Sequence, residues 1–297
     1  MGTMEKIILS ASRRTDIPAF YMPWFMAGIE QRRFEVVNPY NQKISNVPAG
    51  VDQVHTIVFW SKDFGPFLKG GYGEDLLTRG YHLFFNFTVN TADRLLEPRV
   101  PPLPVRLDQM AALCRRFGPQ VINWRFDPVC FYTTSQEGQV DNLKDFELIA
   151  GAAARMGIRR CVTSFRDDYA KIRKRTAAIS GFRFVDPPLA EKVSICLAMQ
   201  RTLGACKISL QTCCENEVLA ALPAGSGIAK GRCIPADLLM ALFGGRVSLK
   251  KDSGQRVAAG CGCHVSRDIG SYAWHPCRHN CLFCYANPAR DRVDPQE

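Results

Sequence analysis

The sequence predicts an α/β fold whose core is a parallel β-sheet. Apolar runs rich in β-branched and aromatic residues recur along the chain, and each is followed by a helical pattern. This alternation is typical of βαβ units. The runs are apolar at successive positions, as in strands buried on both faces of a sheet. A chain of 297 residues, 46% of them hydrophobic, can bury such a core as one unit.

Six of these runs have the length and composition of buried strands. They cover residues 6–12, 56–62, 82–89, 121–127, 160–165 and 206–212. Six parallel strands are too few for a closed eight-stranded barrel.

Three segments between the strands have helical periodicity, and each ends at a glycine, the residue that most often stops a helix. They cover residues 105–118, 141–157 and 189–204. Asp141 is predicted as the N-cap of the second helix.

The composition changes after residue 212. Residues 1–212 carry the strand and helix pattern, whereas residues 213–297 are rich in glycine and cysteine. We predict that the second segment completes the same domain and carries a cofactor.

The formal net charge of +10 indicates an anionic partner, either nucleic acid or a negatively charged substrate. The basic run at residues 171–175 is predicted as the solvated face of a helix. No apolar run is long enough to span a membrane, and the first residues do not resemble a signal peptide. We therefore expect a cytoplasmic protein that does not contact a membrane.

Polar residues follow the predicted strands, at the sheet edge where parallel α/β folds carry their sites. Serine and aspartate at such positions can also cap helices. Arginine and lysine cannot cap in this way, so their presence at four strand ends predicts a mouth that holds an anionic group. The candidate residues are Ser12, Arg13, Asp16, Lys62, Arg125 and Asp127.

Three cysteines in the stretch CRHNCLFC, namely Cys277, Cys281 and Cys284, have the spacing CxxxCxxC. A structural zinc site uses four ligands, and so does a ferredoxin cluster. Three thiolates can instead hold three irons of a [4Fe–4S] cluster and leave the fourth iron open. Zinc binding and simple packing of the cysteines remain alternatives.

The stretch CRHNCLFCYAN resembles the cluster loop of radical S-adenosylmethionine enzymes, and the chain resembles their spore-photoproduct-lyase-like branch. The other similar stretches are LSASRRTDIPAF, IVFWSKD, the turn with its helix in TVNTADRLLEPRVPPLPVRLDQMAALCRRFG, and VINWRFDPV. Asn280 and Phe283 stand where that branch has glycine and tyrosine. In that branch the loop follows the first strand, so the resemblance implies a circular permutation with the displaced first strand near residues 262–271.

The whole chain is similar to an uncharacterised family named domain of unknown function 1848, which has a cysteine cluster of this kind at its C-terminus. Together these resemblances imply a circularly permuted, partial (β/α)6 TIM-like barrel. Cys277, Cys281 and Cys284 would hold the cluster, and the aromatic ring of Phe283 would pack near adenine.

The resemblance also implies roles for the strand-end residues. Ser12, Arg13 and Asp16 are candidates for binding the methionine end of S-adenosylmethionine. The remaining candidates, Lys62, Arg125 and Asp127, would line the mouth above the cofactor.

A second group of cysteines lies in the C-terminal segment. The pattern of Cys261 and Cys263 around one glycine is unusual for a core. With Cys233 and either Cys213 or Cys214, they could form an auxiliary iron–sulfur cluster or a zinc site. A set of reduced thiols in a loop-rich segment is the alternative.

Three functions therefore remain open. The first is a radical enzyme that cleaves S-adenosylmethionine with electrons from a carrier such as ferredoxin or flavodoxin. The second is an iron–sulfur protein that does not use S-adenosylmethionine and acts in electron transfer or as a Lewis acid. The third is a nucleic-acid-binding protein with structural zinc, suggested by the net charge.

Overall fold

The computed structural model describes residues 5–38, 41–136 and 138–286. It confirms the α/β fold and places all six predicted strands in one large sheet. The strands in chain order are β1 (Ile7–Ala11), β2 (Arg33–Val37), β3 (Ile44–Pro48), β4 (Val54–Ser61), β5 (His82–Thr88), β6 (Ile122–Val129), β7 (Phe131–Thr133), β8 (Gln139–Asp141), β9 (Arg160–Phe165), β10 (Arg183–Val185), β11 (Ser209–Thr212), β12 (Ala229–Lys230) and β13 (Arg267–Asp268).

The large sheet has eight strands in the order β12-β11-β9-β6-β5-β4-β1-β13. Neighbouring strands pair in parallel throughout. The order follows the chain from β1 to β12, and β13 lies on the other side of β1. This strand falls inside residues 262–271, the segment predicted as the displaced first strand. The strands β12 and β13 both come from the cysteine-rich segment, which therefore contributes to both edges of the sheet.

Two small antiparallel sheets accompany the large one. The strands β2 and β3 form a hairpin, and β7 pairs with β8 and β10. The sequence analysis did not predict these five strands. They are short or partly exposed, so they lack the continuous apolar runs of the central strands.

The helices lie between the strands of the large sheet, as βαβ connections require. They are α1 (Ile17–Phe20), α2 (Met22–Glu30), α3 (Gly65–Lys69), α4 (Tyr72–Thr78), α5 (Leu103–Phe117), α6 (Phe146–Arg155), α7 (Ala170–Thr176), α8 (Leu189–Ala205), α9 (Asn216–Ala221) and α10 (Ala236–Phe243), with a 3₁₀ turn at Pro119–Val121.

The predicted start of the second helix was wrong. Asp141 belongs to β8, which pairs with β7, and α6 begins five residues later at Phe146, after the chain has turned. The predicted helix ends, each placed at a glycine, were more accurate. Gly118 and Gly157 follow α5 and α6 with φ of 88° and 86°, conformations that favour glycine. The third predicted helix continues one residue past Gly204.

The core lies on both faces of the central strands. Every residue of β4 is buried, and Phe59, Phe85 and Trp124 are fully enclosed. The single cysteines of the helical and strand segments pack in this core or beside it, as expected. Cys114, Cys130, Cys161 and Cys196 are buried and Cys206 is half-buried.

In the described part of the chain, every helix is too short or too polar to cross a membrane.

Candidate metal and substrate site

The carboxyl ends of the parallel strands surround a cavity of about 860 Å³. The side chains that line it come from successive strands, because parallel strands all end at the same edge of the sheet. Among them are Trp60 of β4, Lys62 just after β4, Thr88 of β5, Arg125 and Asp127 of β6, Ser164 of β9, and Cys213 after β11. Of the C-terminal cysteines Cys284 lines this cavity, and so do all five thiols of the second group. The cavity lies at the sheet edge where the sequence analysis placed its candidate residues.

The C-terminal cysteine loop docks on the turn between β5 and α5. The amide of Leu282 donates to the carbonyl of Leu96 at 2.9 Å, and the amide of Arg99 donates to the carbonyl of His279 at 3.3 Å. From the other side, the guanidinium of Arg175 donates to the carbonyl of Cys284 at 2.9 Å and to that of Leu282. These contacts hold the loop above the sheet edge.

The three thiols of this loop interact electrostatically but, unlike Cys213, Cys214 and Cys261, do not all lie within 4.8 Å of one another. Cys281 is buried, whereas Cys277 and Cys284 are half-buried. Burial raises the pKa of Cys277 to about 12, and the neighbouring Cys284 adds to the increase. Burial also raises the pKa of Cys281 well above its usual value, while Lys62 opposes that increase. With their pKa values raised, these sheltered groups are neutral thiols in the metal-free protein, and a cationic metal group would stabilise them as thiolates.

Asn280 gives this loop its sharp turn. Its φ is 57°, in the left-handed region that asparagine tolerates better than most residues. Asparagine and glycine are the residues that adopt this conformation most readily.

Asp16 joins three parts of the site but does not line the cavity. One carboxylate oxygen accepts the hydroxyl of Ser61 at 2.7 Å and the amide of Ala19, and the other accepts the amide of Lys62 at 2.8 Å and Nε2 of His279 at 2.8 Å. Four hydrogen-bond donors therefore occupy the carboxylate of Asp16, which the sequence analysis assigned to cofactor binding. The structure places Asp16 as a positioning residue beneath the loop.

The hydroxyl of Ser12 also forms a hydrogen bond within the protein. Its hydroxyl donates to Oδ1 of Asp268 at 2.7 Å, and so bridges the end of β1 to β13. Arg13, by contrast, reaches the cavity. Its backbone amide donates to Asp268 at 2.7 Å, its guanidinium donates to Ser266 at 3.1 Å, and its carbonyl accepts the hydroxyl of Tyr285 at 3.2 Å.

Lys62 stands between the cavity and the cysteine loop. Its ammonium lies 5.1 Å above the ring centroid of Phe283, which also lines the cavity, and it pairs with the buried carboxylate of Glu97. Burial alone would lower the pKa of the Lys62 ammonium. The negative charges of Glu97 and Cys281 have the larger opposite effect, so the pKa of Lys62 lies above its ordinary value. Glu97 also faces Arg106 at 3.7 Å. Lys62 thus places a positive charge beside Cys281.

Trp60 holds two arginines in the cavity. The guanidinium carbons of Arg13 and Arg125 lie 5.4 and 5.0 Å from its ring centroid, within the range of cation–π attraction. Arg125 also pairs with the carboxylate of Asp127, which accepts the hydroxyl of Ser164. Arg125 and Asp127 therefore meet in the cavity, as the sequence predicted.

The second cysteine group is contiguous. The Sγ atoms of Cys213, Cys214 and Cys261 all lie within 4.8 Å of one another, and the first two are 3.7 Å apart. Cys233 contacts Cys213 on one side and Cys263 on the other, and Cys263 also contacts Cys261. All five predicted thiols thus form one patch, and all five line the cavity.

Two glycines allow the backbones that carry these thiols to pack closely. A Cβ at Gly262 would lie 2.7 Å from the carbonyl oxygen of Gly231, and a Cβ at Gly231 would lie 3.0 Å from the carbonyl oxygen of Thr212. The pattern Cys-Gly-Cys therefore has a steric reason, because a side chain at Gly262 would push Cys261 and Cys263 away from Cys233.

The histidines near the cysteines pack or form hydrogen bonds instead of pointing into the thiol patch. Nδ1 of His264 accepts the amide of Ala236 at 2.9 Å, and the ring of His275 packs on Trp24 with centroids 4.0 Å apart.

Several residues of the site were not predicted from the sequence. Glu97, Arg106 and Arg175 are far from the cysteines along the chain, and nothing in their local pattern indicates burial. Arg175 belongs to the basic run that was predicted to be solvated, but its guanidinium binds the cysteine loop instead. Only the aromatic stretch of β4 gave a signal for Trp60, and that signal indicated a core.

Comparisons with known proteins identify a family but no relative of known function. No curated protein matches the chain. A solved structure of a D-hydantoinase has 11% sequence identity and a TM-score of 0.30, over 57% of this chain and 35% of that chain. A likeness at this level carries no argument about function. The model of the family described as Domain of unknown function (DUF1848) matches residues 8–286, and the chain belongs to this family.

Proposed function

We propose that this protein is a radical S-adenosylmethionine enzyme whose [4Fe–4S] cluster is held by Cys277, Cys281 and Cys284. The observation that carries the proposal is that the loop holding these cysteines brings Phe283 and Cys284 to the cavity lined by the basic strand ends, with Lys62 beside the buried Cys281. Three thiolates satisfy three irons, and the adjoining cavity gives a small molecule access to the fourth.

The strand order supports a permuted partial barrel. A doubly wound sheet reverses its order at a switch point, where ligands bind. Here the order runs in one direction from β13 through β1 to β12, as in a barrel. The loop that carries the cluster cysteines follows β13, which lies beside β1 and would be the first strand of an unpermuted barrel.

The cavity suits S-adenosylmethionine and a substrate together. Its volume of about 860 Å³ lies within the usual range of small-molecule sites. When bound, the cluster supplies the electron that cleaves the sulfonium of S-adenosylmethionine and starts radical chemistry. Phe283 offers an apolar face for adenine, and Lys62 fixes that ring by lying above it.

The chain's own residues would orient the reactants. Arg13 and Arg125 present two guanidinium groups, held in place by Trp60, to an anionic substrate or to the methionine carboxylate. Asp127 fixes the orientation of Arg125 through their ion pair. A ferredoxin or flavodoxin would deliver the electron, and the net charge of +10 favours an acidic carrier.

Anaerobic iron and sulfide analysis of the wild type beside Cys281→Ala tests the cluster. We expect the variant to lose about four iron and four sulfide per chain, and we expect Cys206→Ala, which removes a thiol elsewhere, to match the wild type. The reconstituted wild type with dithionite should convert S-adenosylmethionine to 5′-deoxyadenosine, and Cys281→Ala should not.

The other outcomes decide between the alternatives. Iron that depends on Cys281 without cleavage of S-adenosylmethionine would indicate an electron carrier or a Lewis-acid enzyme. Zinc without iron, together with salt-sensitive binding of DNA or RNA, would indicate the nucleic-acid-binding function and overturn the proposal.

A further inference from the structure

The second thiol patch, formed by Cys213, Cys214, Cys233, Cys261 and Cys263, has the composition and shape of a metal centre. We propose that it binds a thiophilic metal through four thiolates, as a site separate from the C-terminal loop. This inference does not rest on the proposed function, because the two groups share no cysteine.

The sulfur positions fit a compact thiolate site. The Sγ atoms of Cys213, Cys214 and Cys261 all lie within 4.8 Å of one another. Cys233 and Cys263 adjoin this trio, with Cys233 beside Cys213 and Cys263 beside Cys261, so either can supply a fourth thiolate. A tetrahedral metal with bonds of about 2.3 Å places its sulfur ligands about 3.8 Å apart, and the Sγ atoms of Cys213 and Cys214 are 3.7 Å apart.

The surrounding charge is suited to bound thiolates. Four thiolates with a divalent ion carry a net charge of roughly −2, and three arginines adjoin the patch. The guanidinium of Arg13 lies against Cys263, Arg125 is close to Cys233 and Cys213, and Arg256 is close to Cys214. Two buried nitrogens, Nη2 of Arg13 and Nε of Arg125, have no hydrogen-bond partner among the described residues. Thiolate sulfur would give these donors an acceptor.

Simple packing does not explain the patch. The single core cysteines, such as Cys161 and Cys196, are dispersed among apolar side chains. The five thiols of the patch instead come from three separate segments, which the close backbone approach at Gly231 and Gly262 brings together. All five also line the cavity, although Cys233, Cys261 and Cys263 are buried.

The metal can be a single zinc-like ion or an iron–sulfur cluster, since both use soft thiolate ligands. The variant Cys277→Ala/Cys281→Ala/Cys284→Ala removes the first group and leaves the second intact, so it isolates the proposed site. Cobalt titrated into the reduced variant should give the visible bands of tetrahedral thiolate coordination and saturate at about one equivalent. Adding Cys261→Ala/Cys263→Ala should abolish these bands, whereas adding Cys206→Ala should not.

Anaerobic reconstitution of the same variants with iron and sulfide is the second part of this test. Iron retained without the C-terminal triplet, and lost on adding Cys261→Ala/Cys263→Ala, identifies a cluster. Retained zinc or cobalt alone identifies a mononuclear site. Failure of both metals to bind, or equal binding with and without Cys261 and Cys263, would overturn the proposal.

Alkylation of the wild type keeps the test decisive if a multiple variant does not fold. Mass spectrometry should show four thiols of the patch protected in metal-loaded protein and modified after chelation under reducing conditions. Equal modification in both states, or a disulfide within the patch of the freshly purified protein, would contradict metal binding.

Discussion

Nε2 of His279 donates to Oδ2 of Asp16 at 2.8 Å, although 263 residues separate the two along the chain. The same carboxylate accepts the hydroxyl of Ser61 and the amide of Lys62 at the end of β4. One buried side chain therefore fixes the cysteine loop to the sheet, and the position of the loop depends on it.

We predict that Asp16→Ala lowers the free energy of unfolding by about 3 kcal/mol, because it leaves buried donors of Ser61, Lys62 and His279 without an acceptor. Urea denaturation of the metal-free protein measures the loss. Asp108→Ala removes an exposed aspartate of α5 and should change stability by about 0.5 kcal/mol or less. Equal losses in the two variants would show that the contacts of Asp16 do not stabilise the fold.

Arg175→Ala should loosen the cysteine loop without unfolding the sheet. The variant loses two charge-assisted bonds to loop carbonyls, so hydrogen exchange in residues 281–286 should become about tenfold faster. Lys174→Ala, in the same basic run but exposed, is the matched control. Unchanged exchange in Arg175→Ala would mean that the contacts with Leu96 and Arg99 hold the loop by themselves.

Gly262→Ala should disrupt the thiol patch, because the new Cβ would lie 2.7 Å from the carbonyl oxygen of Gly231. We expect a loss of about 2 kcal/mol from overpacking, measured by thermal unfolding and urea denaturation. Gly204→Ala lies in α8 with open space around its Cβ and should be neutral or stabilising by up to about 1 kcal/mol. A Gly262→Ala protein as stable as the wild type would contradict the close packing.

The single core cysteines should resist alkylation in the native protein. Burial raises the pKa of Cys114 to about 11 and that of Cys196 to about 12, so at pH 8 about 0.1% or less of either thiol is the reactive thiolate. Their reactivity should stay low as the pH rises and increase only near these values. Among these single cysteines, half-buried Cys206 should react first with iodoacetamide, which mass spectrometry can measure. Rapid modification of Cys114 at pH 8 would contradict its burial.

The sequence predicted the central strands well because a strand buried on both faces is apolar at nearly every position, as β4 is. It also placed the basic strand ends at one cavity, because parallel strands end at the same edge. It could not predict that Glu97 pairs with Lys62 or that Arg175 binds the cysteine loop, since these contacts depend on how distant segments fold together. The assignment of Asp141 as a helix cap failed because an aspartate can equally end a strand.

The position of the cysteine loop in the chain has a consequence for biosynthesis. Strands β1 to β11 and the residues that receive the loop, Leu96, Arg99 and Arg175, leave the ribosome before Cys277, Cys281 and Cys284 do. The cysteine loop therefore reaches a scaffold whose receiving surface has already been translated, and under the proposed function metal capture would be a late step in maturation.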